Sequence, residues 1–104
     1  MTKDEADDLI DRIPYITTLA ALTEKARLSF YQKAIARGEP LDLVKTVKTC
    51  WIRQGMASGK NMSEQEKQQG DTARRLLHEQ LAEALGIRES EVENYIKTQL
   101  ENQL

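Results

Sequence analysis

Apolar residues in this 104-residue chain recur at spacings of three and four, and the phase of that recurrence breaks where proline or glycine intervenes. Such a rhythm suits α-helices, which turn once every 3.6 residues, and the few Pro and Gly residues act as punctuation between them. No alternating β-branched run bounded by turn residues is present, so the pattern for a sheet is missing. The chain is expected to be all-α, a compact bundle of about five helices without β-sheet, in one domain spanning residues 1–104.

Five segments fit. Residues 3–13 place Ala6, Leu9, Ile10 and Ile13 on one face, with Asp4 and Glu5 near the positive end of the helix dipole, and Pro14 ends the run. Thr23 is a cap for a second helix that Gly38 stops; Leu28, Tyr31 and Ile35 form one stripe and Phe30 and Ala34 another, so it packs on two sides. The third opens with Pro40, where a missing amide hydrogen is harmless, and runs to about residue 58. Its broad face holds Leu43, Val44, Val47, Cys50 and Trp51, with Lys45 and Lys48 on the flank and Arg53 turned to the far side. A polar loop covers residues 57–62.

Ser63 and Glu66 form an S-x-x-E capping box, in which the serine oxygen accepts the third amide and the glutamate returns to the serine's own amide. The fourth helix then carries Ala73, Leu77, Leu81 and Ala84 on one face until Gly86. Gly70 lies on its apolar side, where glycine costs about 1 kcal/mol relative to alanine, and a close helix crossing there would compensate. A fifth helix begins near Glu89 and presents Val92, Tyr95, Ile96 and Leu100.

Composition narrows the function classes. At this length the chain buries about two-thirds of its unfolded surface, enough for one core. No stretch approaches the roughly 18 apolar residues of a membrane span, and the acidic N-terminus lacks the basic start and apolar run of a signal peptide, so a cytoplasmic protein is expected. Cys50 and His78 are each the only residue of their kind and cannot furnish a four-ligand zinc site. The formal net charge of −2 conceals an uneven layout. Residues 1–24 hold two basic and six acidic groups, residues 25–60 eight and two, and residues 61–104 five and nine. A basic middle between acidic ends suits either a phosphate surface or intramolecular ion pairing.

No catalytic constellation stands out, no cofactor or metal is expected, and the chain is not read as an enzyme. His78 has no nucleophile at helical spacing, and catalysis would need a concave site joining it to a carboxylate. Asp4, Asp8 and Asp11 share a helix surface that reads as a solvated acidic face rather than a cation site. Cys50 reads as a small buried hydrophobe. An exposed Trp51 would stack on a base or wedge a DNA step, but its place beside Val44 and Val47 predicts burial in the core.

The run from Tyr31 to Arg53 through the Gly38-Glu39-Pro40 turn, the Ser63-x-x-Glu66-Lys67 helix start, Ala73-Arg74-Arg75-Leu76-Leu77, and the stretch from Glu79 through Leu85-Gly86 to Ile87 together resemble the helical C-terminal domain of CarD-like bacterial transcription regulators. The resemblance covers about residues 8–98 and includes the Leu9-Ile10 to Pro14 entry. It implies a helical domain that contacts promoter DNA at the upstream edge of the opening bubble and stabilises the open complex, while a β-rich N-terminal domain engages RNA polymerase. The chain is expected to hold only the helical half, without a β-rich segment before Met1, so that docking is expected to lie outside it. Arg27, Arg53, Lys67 and Arg74 fall where the family commonly has basic groups, and Trp51 matches a tryptophan of its helical packing. A second tryptophan that wedges the minor groove corresponds here to about Glu24, with no aromatic from Thr23 to Ala26.

The expected activity is therefore weak, mostly electrostatic promoter-DNA contact that reads no sequence, through phosphate contacts by Arg27, Lys45, Lys48 and Arg53, joined by Lys67 and Arg74. The alternative is a helical protein-interaction or structural module that binds no DNA. In it Lys45 and Lys48 pair with acidic groups such as Asp7, Asp8, Glu91 or Glu93, and the central basic residues are scattered or neutralised. The oligomeric state is open on sequence.

Overall fold

The computed structural model describes residues 1–55 and 62–102. Among them are five α-helices and no strand: α1 (Lys3–Arg12), α2 (Glu24–Arg37), α3 (Pro40–Gly55), α4 (Glu64–Leu85) and α5 (Glu89–Glu101), with a 3-10 turn at Ile13–Tyr15. The start of α1 is fixed by a full capping box that the sequence reading did not single out. Thr2 Oγ1 accepts the Glu5 amide at 3.1 Å, and the Glu5 carboxylate accepts the Thr2 amide at 3.0 Å. Thr23 caps α2 as expected, and Gly38 and Gly86 end α2 and α4 in the left-handed conformation, at φ 67° and 69°. Helix α3 is described to Gly55, and residues 56–61, which hold its expected end near 58 and most of the expected loop, lie outside the described residues.

Helix α4, at 22 residues the longest, is the axis of the bundle and packs against the other four. Ala73, Leu77, Leu81 and Leu85 meet Ile10 of α1, Leu43 and Val44 of α3 and Val92 of α5 in the main apolar core. A smaller cluster sits between α2, α3 and the start of α4, built on Tyr31, Cys50 and Met62 with Leu19, Leu28 and Phe30 against it. Helix α2 thus serves two sides, since Ile35 packs on the main core while Leu28 and Phe30 pack on the smaller one. Met62, expected in a polar loop, is instead buried there, where a flexible thioether fills the gap under the helix start.

Gly70 lies where α4 passes close against Cys50 of α3. A Cβ added to it would stand 2.8 Å from Cys50 Sγ, so the expected close crossing is present and glycine is what admits the buried thiol. Polar clasps set the remaining elements. Tyr95 Oη donates to Asp7 Oδ1 at 2.6 Å, and Gln99 Nε2 donates to Asp7 O and Asp11 Oδ1, fastening α5 to α1. Gln80 Nε2 donates to Gly38 O at 2.8 Å and fixes the α2–α3 turn on α4.

Candidate nucleic-acid interface

The six basic residues expected to face DNA divide into two groups. Arg27 is 5% exposed. Its Nε and Nη2 donate to the two Glu66 oxygens at 2.9 and 3.3 Å, and Nη1 donates to the Leu22 carbonyl. Arg53, read as turned to the far side of α3, reaches across instead, with Nε 3.0 Å from Glu66 Oε2. Tyr31 Oη donates to that oxygen as well, at 2.9 Å. Glu66 is fully buried, and three helices converge on its carboxylate.

This alters the expected capping box. Ser63 Oγ does accept the Glu66 amide at 3.1 Å. The return half fails, because Glu66 points inward to two guanidinium groups and a phenol, partners far stronger than one exposed amide. Burial by itself would raise the Glu66 pKa, and hydrogen bonds from Arg27, Tyr31 and Arg53 outweigh it, leaving the carboxyl below its ordinary range. Burial pushes the Tyr31 phenol and the neighbouring Cys50 thiol upward, with Glu66 adding to both shifts. The cluster holds two cations against one anion.

Lys48 is also engaged internally. Its Nζ donates to the carbonyls of Ile13, Pro14 and Ile16 at 2.8, 3.3 and 2.8 Å, closing the turn after α1 onto α3. Leu19 N–H donates to Thr49 Oγ1 one residue further along α3 and continues the clasp. Lysine's compact ammonium, with three donors on a long stem, suits convergent carbonyls.

Lys45, Lys67 and Arg74 take no part in these internal contacts. Lys45 is half-buried and lies within ion-pair distance of no acid among the described residues. Lys67 and Arg74 are exposed on α4, with partners Glu64 at 3.5 Å and Glu93 at 3.1 Å that are themselves largely in solvent. Exposed pairs of this kind are worth about 0–1 kcal/mol and exchange readily.

Trp51 corrects the expectation of a buried indole: it is 74% exposed. Helical spacing gives the direction of a side chain but not whether a neighbouring element covers that end of the helix. Among the described residues, the part of α4 that lines the groove with Trp51 contributes Lys67, Gly70, Asp71 and Arg74, none an apolar cover. Between α3 and α4 runs a groove of about 430 Å³, floored by Val44, Val47, Leu77 and Ile96, with Trp51 at its lip and Lys67 and Arg74 on its wall.

His78 lines the same groove near Glu93 and Asp71. Burial and then Arg74 lower its pKa, against the opposing pull of Glu93 and Glu89, so the imidazole favours its neutral form. Among the described residues His78 donates no hydrogen bond to a carboxylate, and Glu93 accepts one from Arg74 at 3.1 Å. Asp11 of the acidic face accepts from Gln99, Asp7 outside that face accepts from Tyr95, and no group of ligating side chains suited to a metal occurs among the described residues. No described helix is long and apolar enough to cross a membrane.

Sequence reasoning missed the Glu66 site. The available signal was the i, i+4 pair Arg27 and Tyr31 on an otherwise apolar stripe of α2, polar groups that need a buried partner.

No curated protein and no solved structure matches the chain. The family model described as CarD, C-terminal domain, matches residues 17–97, over three-quarters of the sequence and all of α2, α3 and α4, and the chain belongs to that family.

Proposed function

We propose that this chain contacts promoter DNA without catalysis, through the α3/α4 face bearing Trp51, Lys67 and Arg74, with Lys45 further along α3, and thereby supports open-complex formation by RNA polymerase. Membership of the family suggests a transcription-related role. One observation carries the DNA reading: the only tryptophan of the chain stands 74% exposed beside two outward cations. An indole offers a flat face to a base or sugar, and neighbouring cations hold phosphates. Glu24 and its neighbours offer no aromatic, so Trp51 takes the stacking role from a different helix.

The six basic residues then have unequal parts. Lys45, Lys67 and Arg74 contact phosphate directly. Lys48, Arg53 and Arg27 position that face, Lys48 through the turn carbonyls and the two arginines through Glu66, while their charge adds to the local field. Contacts to three phosphates give a slope of log K against log salt of about −2.7 on duplex DNA.

Titration of labelled duplex and forked promoter DNA at several salt concentrations tests this. Binding with that slope, weakened at least tenfold in Lys67→Glu/Arg74→Glu, is expected. Absence of binding at low salt, or binding indifferent to salt and to that double variant, overturns it. A second reading has its own observation: of the eight central basic residues, Arg27, Arg53 and Lys48 already have internal partners. It makes the domain a helical interaction module, and the same titration with no DNA binding favours it.

A further inference from the structure

We propose that two copies of this chain associate through the α3/α4 groove, each laying Trp51 over the groove of the other. The inference does not rest on the DNA reading, and its test contains no DNA.

Three features of the same patch point to a second copy. Trp51 projects from the lip of the groove, so an apolar knob and an apolar hole lie side by side on one face. A twofold contact sets a patch against itself, with residue i on j and residue j on i, so knob and hole are both filled by a single rotation. The third is the wall, which carries Lys67 and Arg74 together with Asp71 and Glu93. Arg74 and Glu93 already pair within the chain at 3.1 Å, and a twofold contact sets the remaining charges of opposite sign, Lys67 of one copy and Asp71 of the other, against one another. A partner of one sign would leave half of these charges facing their like, at a cost in affinity.

The contact is modest in area. An indole contributes at most about 250 Å² of burial, and a stable interface needs about 1,200–2,000 Å² in total, so association is weak and concentration-dependent. The monomer dominates when dilute, with Trp51 in water, and the dimer removes Trp51 from water on both copies. Because Lys67 and Arg74 lie inside the contact, the dimer also covers the face proposed for DNA.

Sedimentation velocity and Trp51 emission on the whole chain, from about 1 μM to about 1 mM, read both consequences over the affinity range of weak complexes. The expected result is a rise in mean sedimentation coefficient with concentration and a parallel blue shift of Trp51 emission. Trp51→Ala should stay monomeric throughout, and since that side chain is largely solvated it should fold like the parent. Asp71→Lys should weaken association several-fold, and Lys67→Glu/Asp71→Lys should restore it, with circular dichroism confirming the helical content of each variant. A monomer at every concentration, whatever else the groove then binds, overturns the proposal. So does a dimer that Trp51→Ala leaves intact.

Discussion

Thr2–Glu5 and Ser63–Glu66 are the same four-residue pattern at the start of a helix, yet they have opposite fates. In the first the glutamate folds back on the threonine amide and remains in solvent. In the second only the serine half survives, and the glutamate passes into the interior to join α2, α3 and α4. A capping glutamate is held by one exposed hydrogen bond, so any stronger partner within reach redirects it. Arg27, Tyr31 and Arg53 supply such partners at α4, while the chain near α1 supplies none among the described contacts. The same motif is thus local in one helix and tertiary in the other.

The largest consequence concerns the carboxylate itself. Glu66→Ala leaves two guanidinium groups without their buried counter-charge and should lower unfolding stability by about 3–5 kcal/mol in urea denaturation. Glu5→Ala should be far milder, and similar losses for the two would erase the distinction. The pH dependence follows from the same site. The folded Glu66 pKa lies below its unfolded value, so its contribution is complete above about pH 4.3 and is lost as pH falls through the lower folded value. The folded Tyr31 pKa is raised, so its contribution is complete below about pH 10 and is lost as pH rises through the folded value. Urea midpoints across pH should fall at both extremes, and Glu66→Gln should flatten the acid limb.

Next in size is the helix crossing beside the cluster. Gly70→Ala drives a methyl into Cys50 Sγ and should cost about 1–3 kcal/mol, part of it offset by alanine's better helix propensity. Adding Cys50→Ala should recover some of the loss. Recovery locates the strain at the thiol; no recovery places it elsewhere.

Smaller still is the half that the two boxes share. Thr2→Ala and Ser63→Ala each remove one oxygen from one amide and should cost about 1 kcal/mol apiece in thermal unfolding. A much larger loss at Ser63 would mean that its hydroxyl also orients Glu66. The smallest effect is expected at Trp51, where alanine should change stability by no more than about 0.5 kcal/mol, against about 3–5 kcal/mol for an indole in the core.

Much of the fold is legible from local rules. Thr23, Gly38, Pro40, Ser63 and Gly86 mark helix ends because caps and left-handed turns depend on a few neighbouring residues, and Gly70 signals the crossing because glycine on an apolar face is otherwise a cost. The site is less legible because its determinants are distant in sequence: Arg27 and Glu66 are 39 residues apart, and Lys48 meets carbonyls 32 to 35 residues away. Charge counts record how many cations a segment has but not which ones the interior takes. Trp51 shows the complementary failure, in which helical phase gives a direction and the reach of the neighbouring helix decides exposure.

Trp51 fluorescence during titration with forked promoter DNA at low salt tests the proposed interface most directly, because Trp51 is the chain's only indole. Quenching that saturates with DNA, reverses with added salt and disappears in Lys67→Glu/Arg74→Glu is the expected result. DNA binding registered by anisotropy with Trp51 emission unchanged would contradict it, placing the contact on another face.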